Sequence, residues 1–126
     1  MERTKKERYK NKLLRVMVKH IGKTNSISMS ALYEAVFGEP CRDKINETRI
    51  IRRLITELRR DGVPICSDTD SEGGGYYLAA AGGELENYCM RLRIRALKTL
   101  RMEAILRKMT LPELIGQLNL NVGGKK

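Results

Sequence analysis

The chain has 126 residues, 41% hydrophobic and 32% charged, which suits one domain with a modest core and an appended helix. Only 5% are aromatic and there is no Trp, so the core must rest on Leu, Ile, Val, Met and Ala. The net charge of +10 attracts polyanions, meaning nucleic acid or an acidic membrane face.

No apolar run approaches the roughly 18 residues of a membrane span, and no signal-peptide core is visible. Cys41, Cys66 and Cys89 are widely separated and odd in number, which argues against a secreted disulfide framework. The expectation is a cytoplasmic protein with reduced thiols.

Residues 1–9 read as a basic, flexible arm, and Lys5 to Ile21 as a helix whose apolar face is Leu13, Leu14, Val16, Met17, Val18 and Ile21. Nine Lys/Arg fall within residues 1–23, among them Lys5, Lys6, Lys10 and Lys12. Gly22 ends this helix, and Ile27 is a short extended segment able to act as a third strand. Ser28 is placed to cap a second helix, Met29 to Phe37, closed by Gly38 and Pro40.

The third helix is read over Asn46 to Asp61. Ile51, Leu54, Ile55 and Leu58 recur at i, i+3, i+4 and i+7, one apolar stripe. Arg49, Arg52, Arg53, Arg59 and Arg60 occupy its other faces. Asn46 is the expected cap and Asp61-Gly62 the stop. Such a helix suits a DNA groove, and equally an ordinary solvated surface.

Beyond Gly62 the period changes to two. Val63 to Ser67 and Tyr76 to Ala79 are expected strands, and Asp68 to Gly75 the polar tip of their hairpin. Ala80 to Gly83 is a small-residue linker. Glu84 to Met109 is then a long helix of about 39 Å. Leu85, Cys89, Leu92, Ala96, Thr99 and Leu106 trace a seam on it, broadened by Tyr88, Leu97, Leu100 and Ile105. Thr110 to Glu113 has capping-box spacing and starts a last short helix through Leu118, with 119–126 a disordered tail.

ETRIIRRLITELRRDGVPI followed by GGGYYLA resembles the T-I-R-R-x-I-x-x-L-R-x-x-G-x-P-I … G-Y-Y-L signature of bacterial and phage winged helix-turn-helix proteins. The resemblance covers roughly residues 10–80. It implies an α+β fold: a three-helix core with a small antiparallel β-hairpin wing, followed here by the long amphipathic helix. It also implies that Thr48, Arg49, Arg52 and Arg53 face DNA while Ile51, Ile55 and Leu58 are core. Arginine can pair bidentately with guanine, and residues near a recognition helix's N-terminus reach base edges. Arg59, Arg60, Lys5, Lys6, Lys10 and Lys12 would then hold phosphates, which sets affinity but not sequence. The tip departs from the family in carrying Asp68, Asp70 and Glu72, which phosphates would repel. The wing therefore stays off the DNA or meets a protein.

Other chemistry is weakly signalled. Asp68, Asp70, Glu72 and Gly73 match part of a calcium-binding loop, but the twelfth position is Ala79. His20 is the only histidine and has no CxxC nearby, so it is placed near the end of the first helix rather than on zinc. Cys66 and Cys89 read as small core residues rather than nucleophiles. No catalytic set assembles around one histidine, so no enzyme activity, metal, cofactor or small-molecule substrate is expected.

The sequence therefore points to a small transcriptional or mobile-element, phage-like regulator that binds double-stranded DNA as a homodimer. Residues 10–80 would form the DNA-binding domain, 84–109 a long helix whose seam either pairs with a second copy, the favoured reading, or packs back on its own domain, and 110–126 a short helix and tail. The alternative is a winged-helix adaptor in a replication or packaging complex, docking through its acidic wing.

Overall fold

In the computed structural model, residues 3–43, 45–68 and 75–123 are described. Five α-helices and one two-stranded antiparallel hairpin are found among them, an α+β architecture. The chain divides into two compact units, Met1–Tyr88 and Cys89–Lys126.

In the first unit, α1 (Arg3–Met17), α2 (Met29–Phe37) and α3 (Glu47–Arg60) pack pairwise. Their contact is one apolar core of Leu13, Met17, Leu32, Val36, Ile51, Leu54, Ile55 and Leu58. The expected stripe of α3 is buried as read. Residues 3–9, expected as a flexible arm, are the opening turns of α1. That helix also stops earlier than expected, at Met17. The cause lies in the sheet: the Leu78 N–H donates to the His20 carbonyl, and the Gly22 N–H donates to the Leu78 carbonyl, both at 2.8 Å. Backbone committed to a strand cannot continue a helix. Val18 and Ile21 are consequently half exposed, at 51% and 49%, instead of completing the apolar face.

Strands β1 (Ile65–Asp68) and β2 (Gly75–Leu78) pair in the register Ile65 with Leu78 through Asp68 with Gly75. On its other side β2 meets the expected third strand, reduced to an isolated bridge. Ile27 and Tyr76 exchange both backbone bonds at 2.8 Å. A Cβ on Gly75 would meet the Ile27 carbonyl oxygen at 3.0 Å and Ser26 Cβ at 3.1 Å, tighter than ordinary contact, so glycine favours the close approach. Alternation along the strands divides their side chains. Ile65, Tyr76 and Leu78 join the helical core, while Cys66 and Tyr77 form a second cluster with Tyr88. Asp68 belongs to β1 and is buried, not part of an exposed tip. Residues 69–74 of the expected tip, Asp70 and Glu72 among them, lie outside the described residues.

Ser28 caps α2 as expected, accepting from the Ala31 N–H at 3.2 Å. At α3 the expected cap, Asn46, makes no side-chain cap bond. Asp43 takes that role: its Oδ1 accepts from the N–H groups of Ile45 and Asn46 at 3.0 and 3.1 Å. Glu47 Oε1 reaches back to the N–H groups of Arg42 and Asp43 at 2.7 and 2.6 Å. Together they form a reciprocal cap of capping-box type. It prevails over Asn46 because Glu47 is also held by the Tyr33 hydroxyl, which donates to Oε2 at 3.0 Å.

Helix α4 (Glu84–Leu106) begins in the first unit and runs into the second, where α5 (Leu111–Gly123) follows. It ends three residues short of expectation. Lys108 adopts the left-handed conformation, φ 57°, and Met109 and Lys108 donate back to Ala104 and Ile105 at 3.0 and 3.1 Å, a Schellman closure. The Thr110–Glu113 capping box forms as expected, with Thr110 N–H to Glu113 Oε1 at 3.1 Å and Glu113 N–H to Thr110 Oγ1 at 3.2 Å. Helix α5 continues to Gly123, so 119–123 are helical rather than tail. Residues 124–126 lie outside the described residues.

Candidate nucleic-acid interface

Opposite its buried stripe, α3 exposes Arg49, Arg52, Arg53, Thr56 and Arg60, spaced i, i+3, i+4, i+7 and i+11. This spacing keeps them on one outward face. Thr48, expected on that face, is 2% exposed and turned inward. Its hydroxyl accepts from Arg52 Nη2 at 2.8 Å, and the same nitrogen donates to the Ile45 carbonyl at 3.3 Å. Thr48 thus positions an arginine instead of reaching outward itself.

The lysines of α1 divide. Lys5 and Lys12 are exposed. Lys6 pairs with Glu57, and Lys10 donates to Asp61 Oδ2 at 2.9 Å with Glu57 at 3.8 Å. The Asp61 hydrogen bond holds the Lys10 ammonium above its ordinary pKa. These two cations tie α1 to the C-terminal half of α3 and are partly neutralised there. Between the helices lies an open groove of about 510 Å³ lined by Lys6, Arg53, Thr56, Glu57, Arg60 and Asp61.

Arg59 lies at the hairpin edge of the exposed face, in line with Arg52, and is engaged with the fold. Its Nε donates to the Ile65 carbonyl at 2.8 Å and its Nη2 to the Tyr88 hydroxyl at 3.0 Å, which also contacts Ser67 Oγ at 3.2 Å. The residue read as a phosphate contact is a brace between α3, β1 and the start of α4. Sequence reasoning missed this brace because nothing local marks Arg59 apart from Arg60.

Two carboxylates hold loops in place. Glu47 lies below its ordinary pKa, first through the Asp43 and Arg42 N–H groups and then through Tyr33. Burial, with Glu47 alongside, pushes the Tyr33 phenol up to about 12. Glu84 accepts from the N–H groups of Ala80 and Lys23 at 2.8 and 3.0 Å, which lowers its pKa in turn. His20 Nδ1 lies 2.8 Å from the Asn25 carbonyl and must donate to it. It sits in the turn after α1 rather than within the helix. Among the described residues no three His, Cys, Asp or Glu side chains converge to hold a metal.

The expected seam on α4 is open. Leu85, Cys89, Leu92, Ala96, Thr99 and Leu106 are all exposed, Leu106 at 76%, and Thr99 bonds back to the Arg95 carbonyl at 3.1 Å. Cys66 is buried as expected of a small core residue, whereas Cys89 is not. Tyr88 belongs to the hairpin cluster rather than the seam. No described helix is long and apolar enough to cross a membrane. No family model matches the chain, and neither a curated protein nor a solved structure matches it.

Proposed function

We propose that the chain is a winged-helix protein that binds double-stranded DNA sequence-specifically, as a small transcriptional or mobile-element regulator. The observation that carries this reading is the α3 face: Arg49, Arg52, Arg53 and Arg60 stand outward in one stripe while Thr48, Ile51, Leu54, Ile55 and Leu58 anchor the opposite side. A helix so anchored presents guanidinium groups to a major groove without disturbing its own packing. The order of helix, bridge, helix, arginine-rich helix and hairpin supports the same assignment. Arg49 and Arg53 read bases, Arg52 is oriented by Thr48, and Arg60 with Lys5 and Lys12 meets phosphates. The open seam of α4 pairs two copies, which spaces two α3 helices on a palindromic site.

Titration of a labelled duplex at two salt concentrations tests the reading. Affinity should fall steeply with salt, and Arg52→Glu with Arg53→Glu should abolish the preference for a selected over a random duplex. Preference for a selected over a random duplex that survives both reversals removes α3 from its assigned role.

A further inference from the structure

The positive charge is concentrated away from α3. Residues 89–126 hold nine Lys/Arg against Glu103 and Glu113, whereas residues 1–88 hold sixteen against thirteen acidic residues. Seven of the ten net charges therefore belong to the second unit. From Asn87 to Met102 there is no carboxylate, and Glu103 is engaged with Arg107 at 2.8 Å. Arg95, Lys98 and Arg101 stand on successive turns of α4, exposed to solvent. They make no ion pair among the described residues. Arg91 heads the same line, one turn earlier.

We infer that this stripe of α4 is a second, sequence-independent DNA-binding element that contacts backbone phosphates. The inference rests on the DNA-binding reading, but its residues are different ones. From Arg91 to Arg101 the stripe is about 15 Å long at 1.5 Å per residue. Duplex DNA carries roughly one negative charge per 1.7 Å of axis, so a stripe this long finds several phosphates within reach. In the first unit Lys6 and Lys10 already face Glu57 and Asp61, and Arg59 is spent on the fold. Arg95, Lys98 and Arg101 have no such competitor among the described residues. A helix lying on an anionic membrane needs its apolar face free to enter the lipid, and the pairing of two copies covers the Leu85 to Leu106 seam that would serve.

The test is the salt dependence of binding by the full-length chain to a random-sequence 20-base-pair duplex and to a selected duplex. With Arg95, Lys98 and Arg101 changed to Gln, the slope of log affinity against log salt should shrink by about 2–3, following 0.9 per lost phosphate contact. Affinity should fall by about 10- to 100-fold on both duplexes, leaving their ratio unchanged. Arg95→Lys with Arg101→Lys should retain the slope. If the triple variant loses helicity by circular dichroism, Lys98→Gln alone should reduce the slope by about 1. An unchanged slope overturns the inference while the α3 reading stands. Equal wild-type affinity for both duplexes, with the slope loss intact, removes sequence reading by α3 and keeps the α4 element. Wild-type binding to phosphatidylserine vesicles but not to DNA overturns both.

Discussion

Arg59 Nη2 donates to the Tyr88 hydroxyl at 3.0 Å while Arg59 Nε holds the Ile65 carbonyl at 2.8 Å. One guanidinium therefore joins the last turn of α3 to the hairpin and to the opening turns of α4. Hydrogen bonds to a charged group contribute about 1.5–3 kcal/mol when the partner would otherwise be left unsatisfied. Arg59→Ala should lower unfolding free energy by about that amount in urea titrations, and Tyr88→Phe by less. DNA affinity, normalised to folded protein, should change far less than for Arg53→Ala. Unaltered stability in Arg59→Ala would return Arg59 to the set of phosphate contacts.

The Tyr33–Glu47–Asp43 cluster predicts a pH window. Glu47 and Asp43 both lie below their ordinary values, so the stability they contribute is present above the ordinary carboxylate range and is lost as pH falls through their folded pKa. Tyr33 is raised from 10.0 to about 12, so its contribution is full below 10 and declines as pH rises toward 12. Thermal unfolding across this range should show a plateau with two falling limbs. Glu47→Gln should flatten the acid limb and Tyr33→Phe the alkaline one. Retention of both limbs in the two variants would contradict the cluster's role.

A Cβ on Gly75 would stand 3.0 Å from the Ile27 carbonyl oxygen, tighter than ordinary contact, so the neighbouring backbone would have to give. Gly75→Ala should push the 26–27 segment off β2 and destabilise the first unit by about 1–3 kcal/mol, the range seen for overpacking. Hydrogen exchange at the Ile27 and Tyr76 amides should accelerate together. Slow exchange at both amides in the variant would show that the segment absorbs the change.

Lys108 stands where a helix-ending glycine is usual, at φ 57°, while the equivalent position after α3 is Gly62 at φ 95°. A non-glycine residue in that conformation costs about 1 kcal/mol. Lys108→Gly should therefore raise the stability of the second unit by about that amount, read from the circular-dichroism melt. A destabilised corner would mean that the Lys108 side chain supplies a contact worth more than the strain.

Leu92 is 41% exposed near the middle of the α4 seam. If the seam pairs two copies, sedimentation equilibrium should find a dimer that Leu92→Asp dissociates by at least tenfold in Kd, since a buried unpaired carboxylate is strongly disfavoured. A wild-type monomer at high protein concentration removes the dimer.

What was legible in the sequence is what depends on neighbours in the chain. The α3 stripe, the Ser28 cap and the Thr110–Glu113 box each need only residues within about two turns, and each formed as read. Distant partners decided the rest. Asn46 and Asp43 are both good capping residues, and the choice fell to Asp43 because Glu47 and Tyr33 complete that arrangement. Helix α1 stops at Met17 because β2, over fifty residues later, claims the His20 and Gly22 backbone groups. Lys6, Lys10, Thr48 and Arg59 looked like other polar surface positions until the fold supplied Glu57, Asp61, Arg52 and Tyr88. The charge excess of the second unit is a property of composition alone, carried on the same helix as the apolar seam.

The central claim is that α3 reads base sequence through Arg49 and Arg53. Selection of bound duplexes from a random pool, run in parallel on the wild type and on Arg49→Ala with Arg53→Ala, tests it most directly. The account predicts an enriched palindromic motif for the wild type and loss of its guanine positions in the variant, each worth about 1–3 kcal/mol of discrimination. An identical motif from both proteins, or no motif from the wild type, would contradict it.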